Sequence, residues 1–135
     1  MITAFYQAPA RFTPVSFALL TQINYADKID LRPQVIPAIV ELAALNESSD
    51  QQKETNTALL QHMRSDKAAV RLAGVQCQRA LVDRLGHDWL ALLPEMLPLI
   101  SELQEDDDER IEDETLKWIA MIEETLGESL TPMLQ

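Results

Sequence analysis

Two histidines, one thiol and one acidic run are the residues of this 135-residue chain best suited to chemistry. His62 and His87 are its only histidines and Cys77 its only cysteine. A zinc site needs three or four Cys, His or acidic ligands at set spacings. A nucleophile needs a base within reach. No HExxH, paired-cysteine motif or nucleophile elbow occurs. The sequence therefore places His62 on a helix surface, His87 in a turn, and Cys77, between Ala73 and Ala80, among buried small apolar residues. The run EDDDERIEDE (105–114) holds enough carboxylates for a cation. An EF-hand loop requires Gly at its sixth position, and counting from Asp106 that position is Ile111. Acids at a helix N-terminus, favoured there by the dipole, account for the run. The reading is no catalytic residue, no cofactor and no metal. Asp106, Asp107, Asp108, Glu109 and Glu112 are instead candidates for docking a basic segment of a partner protein.

The cations are set apart from this run. Residues 50–87 hold six Lys/Arg against four Asp/Glu, and residues 88–135 hold two against fourteen, within a chain of net charge −11. Such an acidic final third repels phosphate backbones. Arg64, Lys67 and Arg71 are the candidates for RNA or salt-bridge contacts, with Lys67 and Arg71 on one face at i, i+4. Aromatics for base stacking are not interleaved with them, so salt bridges to the acidic hairpin are the simpler role. One cysteine permits no internal disulfide and fits a reducing compartment. The longest mostly apolar stretch, WLALLPEMLPLI, has two prolines and a glutamate and is too short to span a bilayer.

The elements that position these residues read as helices. Leu, Ala and Glu dominate, aromatics are 5%, and only three glycines occur. Residues 1–12 are loose or extended. Thr13-Pro14 starts a helix over 14–24, and Pro33 starts another over 33–45. A weakly patterned helix over 52–64 carries Leu59, Leu60 and Met63 on its apolar face. Ser65 or Asp66 caps a helix over 67–85, with Gly74 inside it and Gly86 after it. Gly74 implies a close helix–helix approach. Asp88 caps a helix over 89–104 that Pro94 and Pro98 bend or split into 89–92 and 94–104. The last helix, about 108–126, buries Ile111, Leu116, Ile119, Ile122 and Leu126, with Trp118 and Met121 beside them, and ends at Gly127. ESLTPMLQ is a short tail. The unit PQVIPAIVEL (33–42) recurs as PEMLPLISEL (94–103), 61 residues later, which is neither one nor two periods of about 40.

Three hairpins result: 14–45, 52–86 and a capping hairpin 88–127, followed by the tail 128–135. The fold class is all-α, a right-handed solenoid of about three HEAT-like hairpins, each burying its apolar sides on the next. Ile2, Phe5, Tyr6, Phe12 and the 14–24 helix are left with apolar surface, so the isolated chain is expected to self-associate.

RSDKAAVRLAGVQC (64–77) resembles a HEAT repeat: Asp in the turn, then Val-Arg, then spaced small apolar residues. LVDRLGHDWLALLPEMLPLISELQEDDD (81–108) and WIAMIEETLGESL (118–130) resemble something narrower. In order they carry Leu85-Gly86-His87-Asp88-Trp89-Leu90, then Leu93 to Pro98, an acidic turn, and Ile122 to Leu130. That sequence of motifs is similar to the extreme C-terminus of the very large HEAT-repeat proteins of the UtpA subcomplex in the small-subunit processome. The resemblance covers about residues 52–135. Two positions depart from it: Ile111-Glu112 stands where a HEAT repeat has Val-Arg, and His87-Asp88 where two acids are expected. The first departure stops the Asp–Arg ladder between repeats. The resemblance implies a non-enzymatic scaffold segment in the nucleolus that docks processome proteins. It also implies support for pre-rRNA processing and transcription, with pre-rRNA contacted indirectly or through other regions of a longer chain. The other expectation is a cytoplasmic HEAT adaptor that grips a basic linear peptide.

Overall fold

The computed structural model describes residues 32–45 and 49–134. The expected loose segment 1–12, the helix 14–24 and the apolar surface they were expected to leave lie outside the described residues. Among the described residues there are seven helices and no strand: α1 (Arg32–Leu45), α2 (Ser49–His62), α3 (Ala68–Leu85), α4 (His87–Leu90), α5 (Leu93–Leu103), α6 (Glu109–Leu126) and α7 (Thr131–Leu134). None is long and apolar enough to cross a membrane.

The helices form two layers. α3 packs most extensively on α6 and next on α1, which makes one row of three. α2 packs on α3 and α5, α4 and α5 continue that second row, and α7 folds onto α5. Stacked helical hairpins give this arrangement, each shielding the next. The period is explicit in the chain. α3 and α6 are both 18 residues long, and each end of α6 lies 41 residues after its counterpart in α3. Both close on a glycine at positive φ, Gly86 at 56° and Gly127 at 76°. A side chain there would be strained, so the glycines stop the helices cleanly.

The proline split is seen where the sequence puts it. α4 ends at Leu90 and α5 begins at Leu93, with Pro94 in its first turn. The repeated unit also resolves. Its prolines are the second and sixth residues of α1 and likewise of α5. An early Pro is tolerated because the first turn has no intrahelical donor bond to lose, whereas the later one removes one. Yet α1 sits in the row of α3 and α6, and α5 in the other. The two copies share a way of starting a helix, not a place in the repeat.

Three local expectations are corrected. α3 has Lys67 at its N-cap with no side-chain cap; Ser65 Oγ instead accepts from the Lys67 N–H at 3.2 Å and shapes the turn. α4 starts at His87 behind Gly86, so Asp88 is inside the helix and does not cap it. Leu116 is 56% exposed, while Ile111, Thr115, Trp118, Ile119 and Ile122 are buried. The true stripe runs i, i+4, i+7, i+8, i+11 with Thr115 as a member, and Leu116 lies about 100° around the helix from Thr115. The tail also does more than trail. Leu130 is fully buried, its N–H donates to Glu123 Oε2 at 2.8 Å, and α7 lies against α5.

Gly74 marks a close approach of α2 to α3. A Cβ there would overlap Cγ of Met63, a residue with no exposed surface at the end of α2. Replacing Gly by Ala in a helix normally gains about 1 kcal/mol, but forcing apart a packed site costs about 1–3 kcal/mol. Gly74→Ala is expected to destabilise the chain in urea unfolding; a more stable variant would show that α2 can lift away without loss.

Candidate functional site

The site begins with the stacking face of α3. Arg71, Val75 and Arg79 recur at i, i+4, i+8 and so form one row on that helix. Arg71 Nε and Nη2 donate to the two carboxylate oxygens of Asp106 at 3.0 and 3.1 Å, and its Nη1 donates to the Ser65 carbonyl at 2.9 Å. Arg79 Nη1 donates to Glu114 Oε2 at 2.6 Å. Both pairs are mostly withdrawn from water. A two-pronged Arg–carboxylate pair is strong and directional, and removing one partner of a buried pair leaves an uncompensated charge. These pairs clamp the turn and first half of α6 onto α3. Looser surface pairs join Arg64 to Glu102, Lys53 to Glu95 and Arg84 to Glu41 at 3.5–3.9 Å. Such exposed pairs contribute little.

Below this face runs a buried polar chain. The Trp89 indole N–H donates to Gln78 Oε1 at 2.9 Å, Gln78 Nε2 donates to Asn56 Oδ1 at 2.8 Å, and Asn56 Nδ2 donates to Glu95 Oε2 at 3.4 Å. Trp89, Gln78 and Asn56 have no exposed surface. The chain ties α4, α3, α2 and α5 together. Periodicity did not reveal it, because Asn56 and Gln78 read as polar and so as surface. The signal available was indirect: the apolar pattern of α2 is weak because Thr55 and Asn56 occupy its buried side.

The acidic run divides into two kinds of residue. Asp106 holds Arg71 and also accepts the Asp108 N–H at 2.9 Å. Asp108 Oδ1 accepts the Arg110 N–H at 2.9 Å and so caps α6, while Oδ2 accepts from Arg110 Nη2 at 2.8 Å. Asp107 and Glu109 are exposed, and Glu112 is half-buried on α6. Of the candidate cations, Arg64 and Arg71 are in ion pairs within the chain, and Lys67 is exposed at the start of α3. Among the described residues no three His, Cys, Asp or Glu side chains are grouped to hold a metal ion. Cys77 is fully buried, and burial pushes its thiol up to about 12, so it stays protonated.

This arrangement is a clamped helical stack with a charged exterior. Proteins of similar sequence include fungal ones. The chain is 56% identical over 131 residues to the U3 small nucleolar RNA-associated protein 10 of Chaetomium globosum, which covers 97% of this chain and 8% of that protein. The proteins of the same name match at 54% over 132 residues in Neurospora crassa and 52% over 133 in Phaeosphaeria nodorum. These proteins are homologues of the chain over almost its whole length. The chain spans less than a tenth of their own. No protein-family model matches it.

Two outcomes follow from the polar contacts. Gln78→Leu strands the Trp89 indole N–H and Asn56 Oδ1, and each orphaned buried group costs about 1–3 kcal/mol. Urea unfolding is expected to show a loss of about 2–5 kcal/mol; a loss under about 1 kcal/mol would mean the chain of bonds does not act as a unit. Asp108 is held at about 2, below its ordinary 3.8, first by the Arg110 side-chain hydrogen bond and then by the Arg110 backbone N–H. Its folded pKa is depressed, so its contribution is full above 3.8 and is lost as pH falls toward 2. In acid titrations followed by circular dichroism, Asp108→Asn is expected to flatten that limb; superimposable profiles would contradict it.

Proposed function

We propose that this chain is a segment of a helical-repeat scaffold that works in ribosome biogenesis in the nucleolus. The observation that carries the reading is the match along 97–98% of the chain to proteins whose name associates them with the U3 small nucleolar RNA. The architecture supports it. Stacked hairpins present broad walls for other macromolecules, and here the walls are charged.

Its role in this reading is docking, not catalysis. The segment holds proteins of the UtpA subcomplex and the wider small-subunit processome in place while pre-rRNA is transcribed and processed. Arg71 and Arg79 are committed to Asp106 and Glu114, and the last hairpin is strongly acidic. Direct phosphate binding by this segment is disfavoured on both grounds, so pre-rRNA contact is assigned to partners or to other parts of a longer protein. The exposed acids Asp107 and Glu109, with the half-buried Glu112, are the docking candidates.

The full-length protein carrying this segment, tagged in a fungal cell, is expected to concentrate in the nucleolus and to co-sediment with U3 RNA in large particles. A cytoplasmic protein that sediments apart from U3 RNA would defeat the reading and favour an adaptor for basic peptides.

A further inference from the structure

The 41-residue register allows the two long helices to be compared position by position. In α3 the row Arg71–Val75–Arg79 faces the next hairpin: both arginines reach its acids, and Val75 between them is fully buried. The same register carries that row in α6 to Glu112, Leu116 and Ala120. Leu116 takes the place of buried Val75, yet it is 56% exposed. Ala120 is exposed too, and Asp113, also exposed, stands where α3 has buried Leu72. α6 thus repeats the stacking face of α3 with its apolar centre kept and its charges changed: the first arginine becomes glutamate, the second becomes alanine, and an extra acid lies beside them.

We propose that the Glu112–Leu116–Ala120 row of α6 is a docking face for a helix of a different protein. That helix presents Lys or Arg against Glu112 and Asp113 and an apolar side chain against Leu116. This rests on the docking role proposed above and gives it a surface and a partner chemistry. Charge decides among the occupants. Another hairpin of this chain's kind would bring an acid, as Asp106 and Glu114 do on α3, against Glu112. A second copy of α6 laid parallel would set Glu112 and Asp113 against their own kind, and the crosslink map reads out any antiparallel copy. An RNA backbone would meet the same repulsion. Like charges placed in an interface exclude the wrong partner as effectively as opposite charges attract the right one.

The test is in-cell photo-crosslinking with the full-length protein carrying a photoreactive phenylalanine in place of Leu116. The crosslinked peptide, mapped by mass spectrometry, is expected to come from another protein, to be helical, and to carry Lys or Arg within one turn of the captured residue. Glu112→Arg in the same chain is expected to cut the yield by about tenfold, a loss of about 1.4 kcal/mol. A Lys or Arg to Glu change in the mapped peptide restores it. Leu116 is exposed and Glu112 half-buried on α6, and an unchanged melting temperature for each variant confirms the fold. Crosslinks to the same chain, to a second copy or to RNA, no crosslink at all, or a yield indifferent to Glu112→Arg would each overturn the proposal. Co-sedimentation with U3 RNA is scored separately. A protein that stays in those particles without the crosslink loses only this face, and one that leaves them loses the broader reading.

Discussion

On a helix covered on nearly every side an unpartnered polar group is costly, and α3 is that helix; of its side chains Arg79 leaves one such group, its Nε–H, among the described residues. Nine of its 18 residues are buried, including Gln78. An unpaired amide at that depth costs several kilocalories. Gln78 escapes the cost because both ends of its amide are used: the oxygen by Trp89 and the nitrogen by Asn56. Those partners come from α4 and α2, so satisfying one side chain fixes the relation of three helices. Apolar packing is tolerant of small slips, whereas a chain of directional bonds is not. The register in which α2 and α4 lie on α3 follows from this requirement. The other buried tryptophan shows the contrast: the Trp118 indole N–H finds no acceptor among the described residues, so packing holds its site.

The ion pairs act at a second level. Arg71 and Arg79 emerge from the same central helix and fasten the acidic hairpin at two points two turns apart. Each is partly shielded from water, which raises its worth above that of the exposed pairs around Arg64 and Arg84. Because Arg71 also bonds the Ser65 carbonyl, it braces its own turn against the next one. The hairpin boundary is thereby defined by a side chain that belongs to both repeats.

Much of this was legible in the residues. Glycines at 86 and 127 end helices because most side chains are strained at positive φ, and Pro94 splits a helix because it has no N–H to give. Such features are local, and sequence states them directly. The salt-bridge role of the middle arginines was legible as charge separation along the chain. What escaped was decided between elements. Asn56 and Gln78 are polar by type and buried by position, and only the fold sets one against the other. Leu116 is apolar by type and exposed by position, because Thr115, able to bond the Ile111 carbonyl within its own helix, takes the inward place. Leu130 looked like part of a tail, yet the chain turns back after Gly127 and spends it on the core.

The distribution of charge follows from the same geometry. Four acids of the last hairpin, Glu95, Glu102, Asp106 and Glu114, meet cations from the preceding one. That pairing consumes the basic middle of the chain to close an internal joint. The acids that stay exposed, among them Glu105, Asp107, Glu109, Asp113, Glu124 and Glu128, form no ion pair among the described residues and so act on the surroundings. Their field reaches about a Debye length, roughly 8 Å at physiological salt, so it is felt mainly by whatever comes to rest on the surface. At that range the hairpin repels phosphate and favours a basic protein surface. The excess of acid in the last hairpin therefore sets which charges can rest against it, while the stability of the stack rests on the pairs and bonds inside it.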